Sequence, residues 1–99
     1  MPKYAKLSDQ EVASAVSSLA EWSVQNGKLH RELKFRDFVH AFGFMATAAI
    51  AIEKRDHHPE WANVYNRVTI DLVTHDAGGI TQADVDLARL LDEIAAKLQ

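Results

Sequence analysis

The sequence predicts one α+β domain over residues 1–99, in which a four-stranded antiparallel sheet carries three helices on one face. Ninety-nine residues leave room for a single hydrophobic core. The hydrophobic pattern changes period along the chain in the order helix, strand, strand, helix, strand, strand, helix. Because the strands come in pairs separated by helices, rather than alternating singly with them, the sheet is expected to be antiparallel.

Capping residues mark the first and the last helix. Ser8 and Glu11 have the spacing of a capping box, which predicts a helix from about Ser8 to Ala20. Thr81 and Asp84 have the same spacing and begin the final helix. The buried stripe of that final helix is predicted to consist of Leu87, Leu91, Ile94 and Leu98.

Alternating segments mark the strands. Asn26-Gly27 tolerates the positive φ angles of a two-residue turn and joins the alternating segments 22–25 and 29–35. Residues 67–72 alternate strictly and predict a further half-buried strand. Arg31 falls on the apolar side of the second segment, so we expect a strand end or a partly open face there.

The segment from Phe38 to Ile52 is apolar around most of a helix. Its narrow strip of polar or small residues is His40, Gly43 and Thr47. Such a helix is buried on most sides, yet it is too short for the roughly 18 apolar residues of a membrane span. In so small a domain, a helix that packs on the sheet and on a second subunit is favoured over a wholly internal one. We therefore predict a homodimer or homotetramer through helix 38–52 and no membrane insertion.

Composition and charge exclude several classes of protein. A hydrophobic fraction of 47% and a charged fraction of 25% are those of a soluble globular protein. Eleven Lys and Arg against fourteen Asp and Glu give a net charge of −3, which disfavours nucleic-acid binding. The absence of cysteine removes disulfides, thiolate nucleophiles and cysteine-ligated metals. The start, Met1-Pro2-Lys3-Tyr4, lacks the apolar stretch of a signal peptide, so a cytoplasmic location is expected.

Ionisable side chains gather around two predicted turns. His57 and His58 are adjacent within the segment 53–61, and His75 follows the strand at 67–72. Histidine titrates near neutral pH, so these side chains are suited to donating and accepting protons.

The backbone around Pro59 predicts how two of these imidazoles are oriented. The residue before a proline is driven out of the helical conformation, so His57 should close the last helical turn while His58 is extended. The two rings would then point in different directions. Glu53 lies one helical turn before His57 and is expected to hydrogen-bond to it or to favour its protonated form.

Each of these residues also has a purely structural explanation. Adjacent histidines before a proline are more often surface or capping groups, and His75 at a strand end is more often a turn residue. Asp84 can be half of a capping box, and Trp61 can fill the core. A zinc site is disfavoured because His57 and His58 diverge and no HxH or HExxH spacing occurs. No nucleophile elbow and no glycine-rich phosphate loop is present either.

A long ordered string of residues points to a known family. Residues 53–66 read Glu53-Lys54-x-Asp56-His57-His58-Pro59-Glu60-Trp61-x-Asn63-Val64-Tyr65-Asn66, followed by Val68-x-Ile70, Thr74-His75 and Asp84-x-Asp86-Leu87-Ala88. Upstream lie Phe35-x-Asp37-Phe38 and Ala41-Phe42-Gly43-Phe44-Met45. Together they closely resemble the pterin-4a-carbinolamine dehydratases. Residues 1–34 resemble that family only in their pattern of helix and hairpin.

The resemblance implies dehydration of 4a-hydroxytetrahydropterin to quinonoid dihydropterin and water, which recycles the pterin cofactor of aromatic amino acid hydroxylases. The pterin is then the substrate, and no metal, nucleotide or redox cofactor is implied. The implied catalytic residues are His57, His58 and His75, with His57 and His75 as the acid–base pair and His58 placing the pterin. The implied substrate-binding residues are Glu53, Asp56, Pro59, Trp61, Thr74, Asp76 and Asp84. Ala83 stands where several members have a basic residue, which bears on turnover or substrate preference.

A second hypothesis is a non-catalytic protein of the same fold. Members of the family are similar in forming tetramers through their central helices, and animal relatives act as dimerisation cofactors of a homeodomain transcription factor. The apolar helix 38–52 could then bind a partner helix instead of serving an enzyme.

Overall fold

The computed structural model describes residues 4–99. Its helices are α1 (Asp9–Ser17), α2 (Phe38–Arg55) and α3 (Gln82–Leu98), and its strands are β1 (Ser23–Gln25), β2 (Lys28–Lys34), β3 (Glu60–Val64) and β4 (Arg67–Leu72). A short 3-10 helix, His75–Ala77, lies between β4 and α3. The predicted order of helices and strands is confirmed. The prediction about the start of the chain rests on residues 1–4, of which residues 1–3 lie outside the described residues.

The four strands form one antiparallel sheet in the order β1-β2-β4-β3. Because side chains alternate between the two faces of a strand, the apolar residues of β2 and β4 share one face, on which the helices pack. The members of that buried face are Leu29, Leu33, Val68, Ile70 and Leu72. The predicted α+β class and the alternation of residues 67–72 are therefore confirmed.

Arg31 lies on the buried face and not at a strand end. It is the fourth residue of β2, opposite Ile70 of β4, and its side chain is only 12% exposed. Its Nη1 forms an ion pair with Asp92 of α3, and the indole N–H of Trp22 donates to the same carboxylate at 2.8 Å. The predicted open face is wrong, because a carboxylate from a helix distant in sequence pairs with the cation between sheet and helix.

α1 begins as predicted but ends at Ser17 rather than Ala20. The backbone N–H of Ser18 bonds back to the carbonyl of Ala15, and its hydroxyl donates to that carbonyl at 2.9 Å. Serine hydroxyls at this point compete with the next helical amides for the carbonyls. The chain then turns so that Leu19, 3% exposed, enters the core.

α2 ends at Arg55, because Asp56 adopts the left-handed conformation (φ 53°) and its N–H bonds to the carbonyl of Glu53 at 3.1 Å. The prediction that His57 closes the last helical turn is therefore wrong. His57 lies beyond the helix, on the extended segment that leads through Pro59 into β3.

α2 has two apolar faces. The face against the sheet and α3 consists of Ala41, Phe44, Ala48 and Ile52, all buried. The other face is exposed and carries Phe38, Val39, Phe42 and Ile50, of which Val39 and Ile50 are about three-quarters exposed. Among residues 4–99, no helix is both long enough and apolar enough to cross a membrane.

Candidate active site

The candidate site lies where the segment after α2, the segment after β4 and the start of α3 meet. The N–H of Thr74 bonds to the carbonyl of Gly79 at 3.0 Å, which closes a turn around the short 3-10 helix. Gly78 ends that helix in the left-handed conformation (φ 76°), a position that favours glycine. The turn brings Thr74 back beside Thr81, the N-cap of α3, with 2.8 Å between the two hydroxyl oxygens.

Asp84 is the buried centre of this junction, with a side chain that is 0% exposed. Its Oδ2 accepts hydrogen bonds from the Thr81 N–H and the Thr74 hydroxyl, both at 2.9 Å. Its Oδ1 lies 2.6 Å from Nε2 of His57, a side chain that is 19% exposed. An ionised carboxylate only accepts, so Nε2 carries the proton and Nδ1 of His57 is left for another partner. Asp84 thus caps α3, as the structural explanation predicted, and also holds His57.

Glu53 contacts His58 and not His57. Its Oε1 lies 2.8 Å from Nε2 of His58, and both side chains are more than half exposed. The left-handed residue Asp56 changes the chain direction after α2, so His57 points to α3 while His58 turns back to the helix. The predicted Glu53–His57 pair is wrong, and the predicted divergence of the two imidazoles is confirmed.

His75 lies on the 3-10 helix and is 75% exposed. Its Nε2 is 3.2 Å from Oε2 of Glu60, the first residue of β3. The other oxygen of Glu60 lies 2.5 Å from Nζ of Lys28. The hydrogen bond from the Lys28 ammonium holds the pKa of Glu60 below its ordinary value, and the charge of His75 acts in the same direction.

The three site histidines share one mode of attachment. In each of them a carboxylate contacts Nε2 and not Nδ1; the three residues are His57, His58 and His75. His30 and His40, away from the site, contact Asp71 and Asp37 through Nδ1 instead. Each of the three site imidazoles therefore has a carboxylate beside Nε2, at 2.6 Å for His57, 2.8 Å for His58 and 3.2 Å for His75.

Two neighbouring cavities share Asp56, His57, Thr74 and Asp76 in their walls. The first, of about 240 Å³, is completed by Tyr4, Arg55, Ala83, Asp86 and Leu87. The second, of about 260 Å³, is completed by His58, Val73 and His75. Each is smaller than the roughly 300 to 1,000 Å³ typical of small-molecule sites, so we expect a ligand to occupy both.

Among residues 4–99, no group of three or more His, Cys, Asp or Glu side chains is arranged to hold a metal ion.

Pro59 and Trp61 line neither cavity. Trp61 packs edge-on against Phe44 of α2, with ring centroids 6.5 Å apart and planes at 66°. The packing thus favours the core explanation of Trp61. Of the other residues implied to bind substrate, Asp56, Thr74 and Asp76 line both cavities, while Glu53 and Asp84 act on histidines.

Three residues near the site were not predicted from the sequence: Tyr4 and Arg55, which line the first cavity, and Glu60, which contacts His75. Arg55 is exposed at the end of α2, and its guanidinium has no hydrogen bond or ion pair with any described residue. It lines the same cavity as Ala83, so this cavity has a guanidinium although residue 83 is not basic. The available signal was position alone, because Arg55 and Glu60 lie within the string 53–66.

Comparison with known proteins shows the family of this chain. The sequence model of the family described as pterin 4 alpha carbinolamine dehydratase matches residues 5–94. The chain belongs to this family. The match includes α1 and the first hairpin, where sequence inspection found only a common pattern.

Individual relatives cover nearly the whole chain. A protein of Solibacter usitatus, provisionally named a pterin-4-alpha-carbinolamine dehydratase, is 63% identical over 92% of this chain and 96% of its own. One of Bradyrhizobium sp. with the same provisional name is 50% identical over 94% of this chain and 95% of its own. The crystal structure of a transcriptional coactivator/pterin dehydratase from Brucella melitensis is similar with a TM-score of 0.87 and 46% identity, over 91% of this chain and 98% of that one.

Proposed function

We propose that this protein dehydrates 4a-hydroxytetrahydropterin to quinonoid dihydropterin and water. Family membership supports the substrate class. The observation that carries the proposal is the set of three histidines around neighbouring cavities, each with a carboxylate beside Nε2. That arrangement suits a reaction in which protons must be given and taken on different sides of one small ring system.

The reaction requires two proton transfers. The bond between C4a and the hydroxyl oxygen breaks as that oxygen gains a proton and leaves as water. The N5 proton is lost, and a double bond forms between N5 and C4a. In our proposal His57 and His75 are the acid–base pair and His58 places the pterin. Because the C4a hydroxyl leaves as water and the electrons of the N–H bond form the N5–C4a double bond, the proposed step has no net oxidation or reduction and uses no metal, nucleotide or redox cofactor.

The surroundings of each histidine are compatible with these roles. His57 is the least exposed and is held by a buried carboxylate, so its ring orientation is the best defined of the three. His75 lines the second cavity together with His57 and His58. Positioned acid–base groups of this kind contribute about 10² to 10⁴ in rate.

The decisive experiment is stopped-flow absorbance of 4a-hydroxytetrahydropterin decay, with the substrate generated in situ by a hydroxylase. The protein should accelerate the decay, and the acceleration should survive treatment with a chelator. A variant with His57→Ala and His75→Ala should lose the acceleration while its circular dichroism and melting temperature stay close to those of the wild type. No acceleration by the wild-type protein, or full activity of the folded double variant, would refute the proposal.

We further propose a cellular location, a metabolic role and an oligomeric state for this protein. The dehydratase would recycle the pterin cofactor of an aromatic amino acid hydroxylase in the cytoplasm. It would be a homodimer or homotetramer, in which the exposed apolar face of α2 packs against the same face of another copy.

A second candidate function is a helix-mediated binding module, including a transcriptional dimerisation cofactor. The observation that favours it is the exposed face of α2, where Phe38, Val39, Phe42 and Ile50 are between 48% and 75% exposed. A variant with Val39→Glu and Phe42→Glu should lose self-association in light scattering or lose a partner complex. Val64→Glu on β3 is the matched control, because Val64 is also 73% exposed. If the α2 variant keeps the wild-type particle mass in light scattering and keeps its partner complex, the exposed face of α2 is not a binding surface.

A further inference from the structure

Glu60 on β3 contacts both His75 at the site and Lys28 on β2, across the intervening strand β4. Its Oε2 lies 3.2 Å from Nε2 of His75, and its Oε1 lies 2.5 Å from Nζ of Lys28. Glu60 itself lines neither of the two cavities at the site. Its contact with the site is therefore through the imidazole of His75.

The strand register explains how Lys28 reaches Glu60. Glu60 of β3 and His30 of β2 are both opposite Asp71 of β4, from its two sides. Lys28 is two residues before His30, so it shares that open face but lies just beyond the end of β4. The lysine side chain thus spans the sheet at the end from which the chain continues to His75.

We propose that Glu60, held in place by Lys28, is a positioning residue for His75. The carboxylate keeps the proton on Nε2 and so directs Nδ1 to the substrate, as Asp84 does for His57 and Glu53 for His58. This inference rests on the proposed function. It assigns Glu60 and Lys28 to the orientation of one imidazole, with no contact to the pterin.

Two features indicate why the lysine is needed. Glu60 and His75 are 44% and 75% exposed, so each side chain alone would be free to rotate. A second partner restricts the carboxylate to one arrangement. The hydrogen bond from Lys28 to Oε1 leaves Oε2 of Glu60 facing His75, and it also lowers the pKa of Glu60.

The expected effect is modest and confined to turnover. Partly exposed ion pairs are worth little, so Glu60→Ala should lower kcat by about three- to fivefold. KM should stay unchanged, because Glu60 lies outside the walls of the two site cavities. Glu60→Gln keeps an oxygen acceptor and should recover part of the loss. Lys28→Met should lower kcat in the same direction by a smaller factor.

Asp71→Asn is the matched control. Asp71 neighbours Glu60 on the same open face, pairs with His30 at 2.8 Å and, like Glu60, lines neither of the two site cavities. It should leave kcat and KM unchanged. In parallel, ¹⁵N NMR of the His75 ring should show the proton mainly on Nε2 in the wild type and a shift of population to Nδ1 in Glu60→Ala.

The outcomes separate the two proposals. Wild-type kcat together with unchanged ¹⁵N shifts in Glu60→Ala would overturn the positioning role while leaving the dehydratase intact. An equal loss of kcat in Asp71→Asn would overturn it as well, because the effect would then belong to the sheet face in general. If the wild-type protein does not dehydrate the substrate, the proposed function fails, and the ring ¹⁵N shifts alone decide whether Glu60 orients His75.

Discussion

Nε2 of His57 lies 2.6 Å from Oδ1 of Asp84, a carboxylate that is fully buried and also caps α3. One side chain thus starts a helix and orients an imidazole 27 residues earlier in the chain. The start of α3 and the geometry of the site are therefore coupled, because the rotamer that satisfies the Thr81 N–H also places Oδ1 against His57.

This coupling predicts that Asp84→Asn impairs stability and turnover together. An amide opposite the donors of His57, Thr74 and Thr81 cannot accept from all of them, so at least one buried donor loses its partner. We expect a loss of about 1 to 3 kcal/mol in the free energy of unfolding, measured by urea denaturation. The rate of dehydration should fall as well, because Nε2 of His57 loses a carboxylate acceptor.

The other capping box provides the control. Ser8 and Glu11 cap α1 in the same reciprocal manner, and both side chains are exposed and line neither site cavity. Ser8→Ala should cost about 1 kcal/mol of stability without changing kcat. If Asp84→Asn retains wild-type kcat, its contact with His57 has no catalytic role.

Removing either partner of the Arg31–Asp92 ion pair should lower the free energy of unfolding by a different amount. Asp92→Ala leaves the guanidinium of Arg31 between sheet and helix without its carboxylate, and the Trp22 N–H without its acceptor. We expect a loss of about 2 to 3 kcal/mol in urea denaturation. Arg31→Met should cost less, because Nε of Arg31 is already buried without a partner among the described residues and Asp92 keeps Trp22. Equal costs in the two variants would contradict this account.

Two exposed carboxylates predict how stability depends on acid pH. The backbone N–H of Ser8 holds the pKa of Glu11 below its ordinary value of 4.5, and the backbone N–H of His40 holds the pKa of Asp37 below 3.8. A carboxyl whose pKa is lower in the folded state stabilises the fold above its unfolded pKa, and the stabilisation is lost as pH falls through the folded pKa.

The free energy of unfolding should therefore decrease as pH falls below about 4.5, and Glu11→Gln and Asp37→Asn should each reduce the slope of that decrease. The measurement is urea denaturation between pH 2.5 and about 7. At neutral pH each variant should be less stable than the wild type. Slopes equal to the wild-type slope in both variants would show that neither cap contributes to acid sensitivity.

The sequence was informative wherever a local rule applied. The two capping boxes, the Asn26-Gly27 turn and the alternation of residues 67–72 each depend on neighbours within four residues, and all appear in the structure. The end of α2 was mispredicted because Asp56, and not a glycine, adopts the left-handed conformation there. That single residue turns His57 away from Glu53, so Glu53 contacts His58 instead.

Contacts between distant segments were beyond the reach of sequence patterns. Asp92 pairs with Arg31 across 61 positions, and Lys28 meets Glu60 across 32. No periodicity encodes such pairs, since they depend on which helix covers which strand. For the same reason the structure, and not the sequence pattern, identifies Tyr4 and Arg55 as residues that line the first cavity.

Arg55 predicts a binding effect separate from catalysis. Its guanidinium, at the end of α2, has no hydrogen-bond or ion-pair partner within residues 4–99 and lies on the wall of the cavity that also contains Ala83. A guanidinium readily donates to the oxygen atoms of a ligand, and its exposure keeps the gain small. Arg55→Ala should therefore raise KM by about three- to fivefold with little change in kcat or in the free energy of unfolding. Lys54→Ala is the control, because Lys54 is the neighbouring basic residue on α2 and lines neither cavity. A KM that rises equally in both variants would indicate a general charge effect, and an unchanged KM in Arg55→Ala would exclude a contact with the pterin.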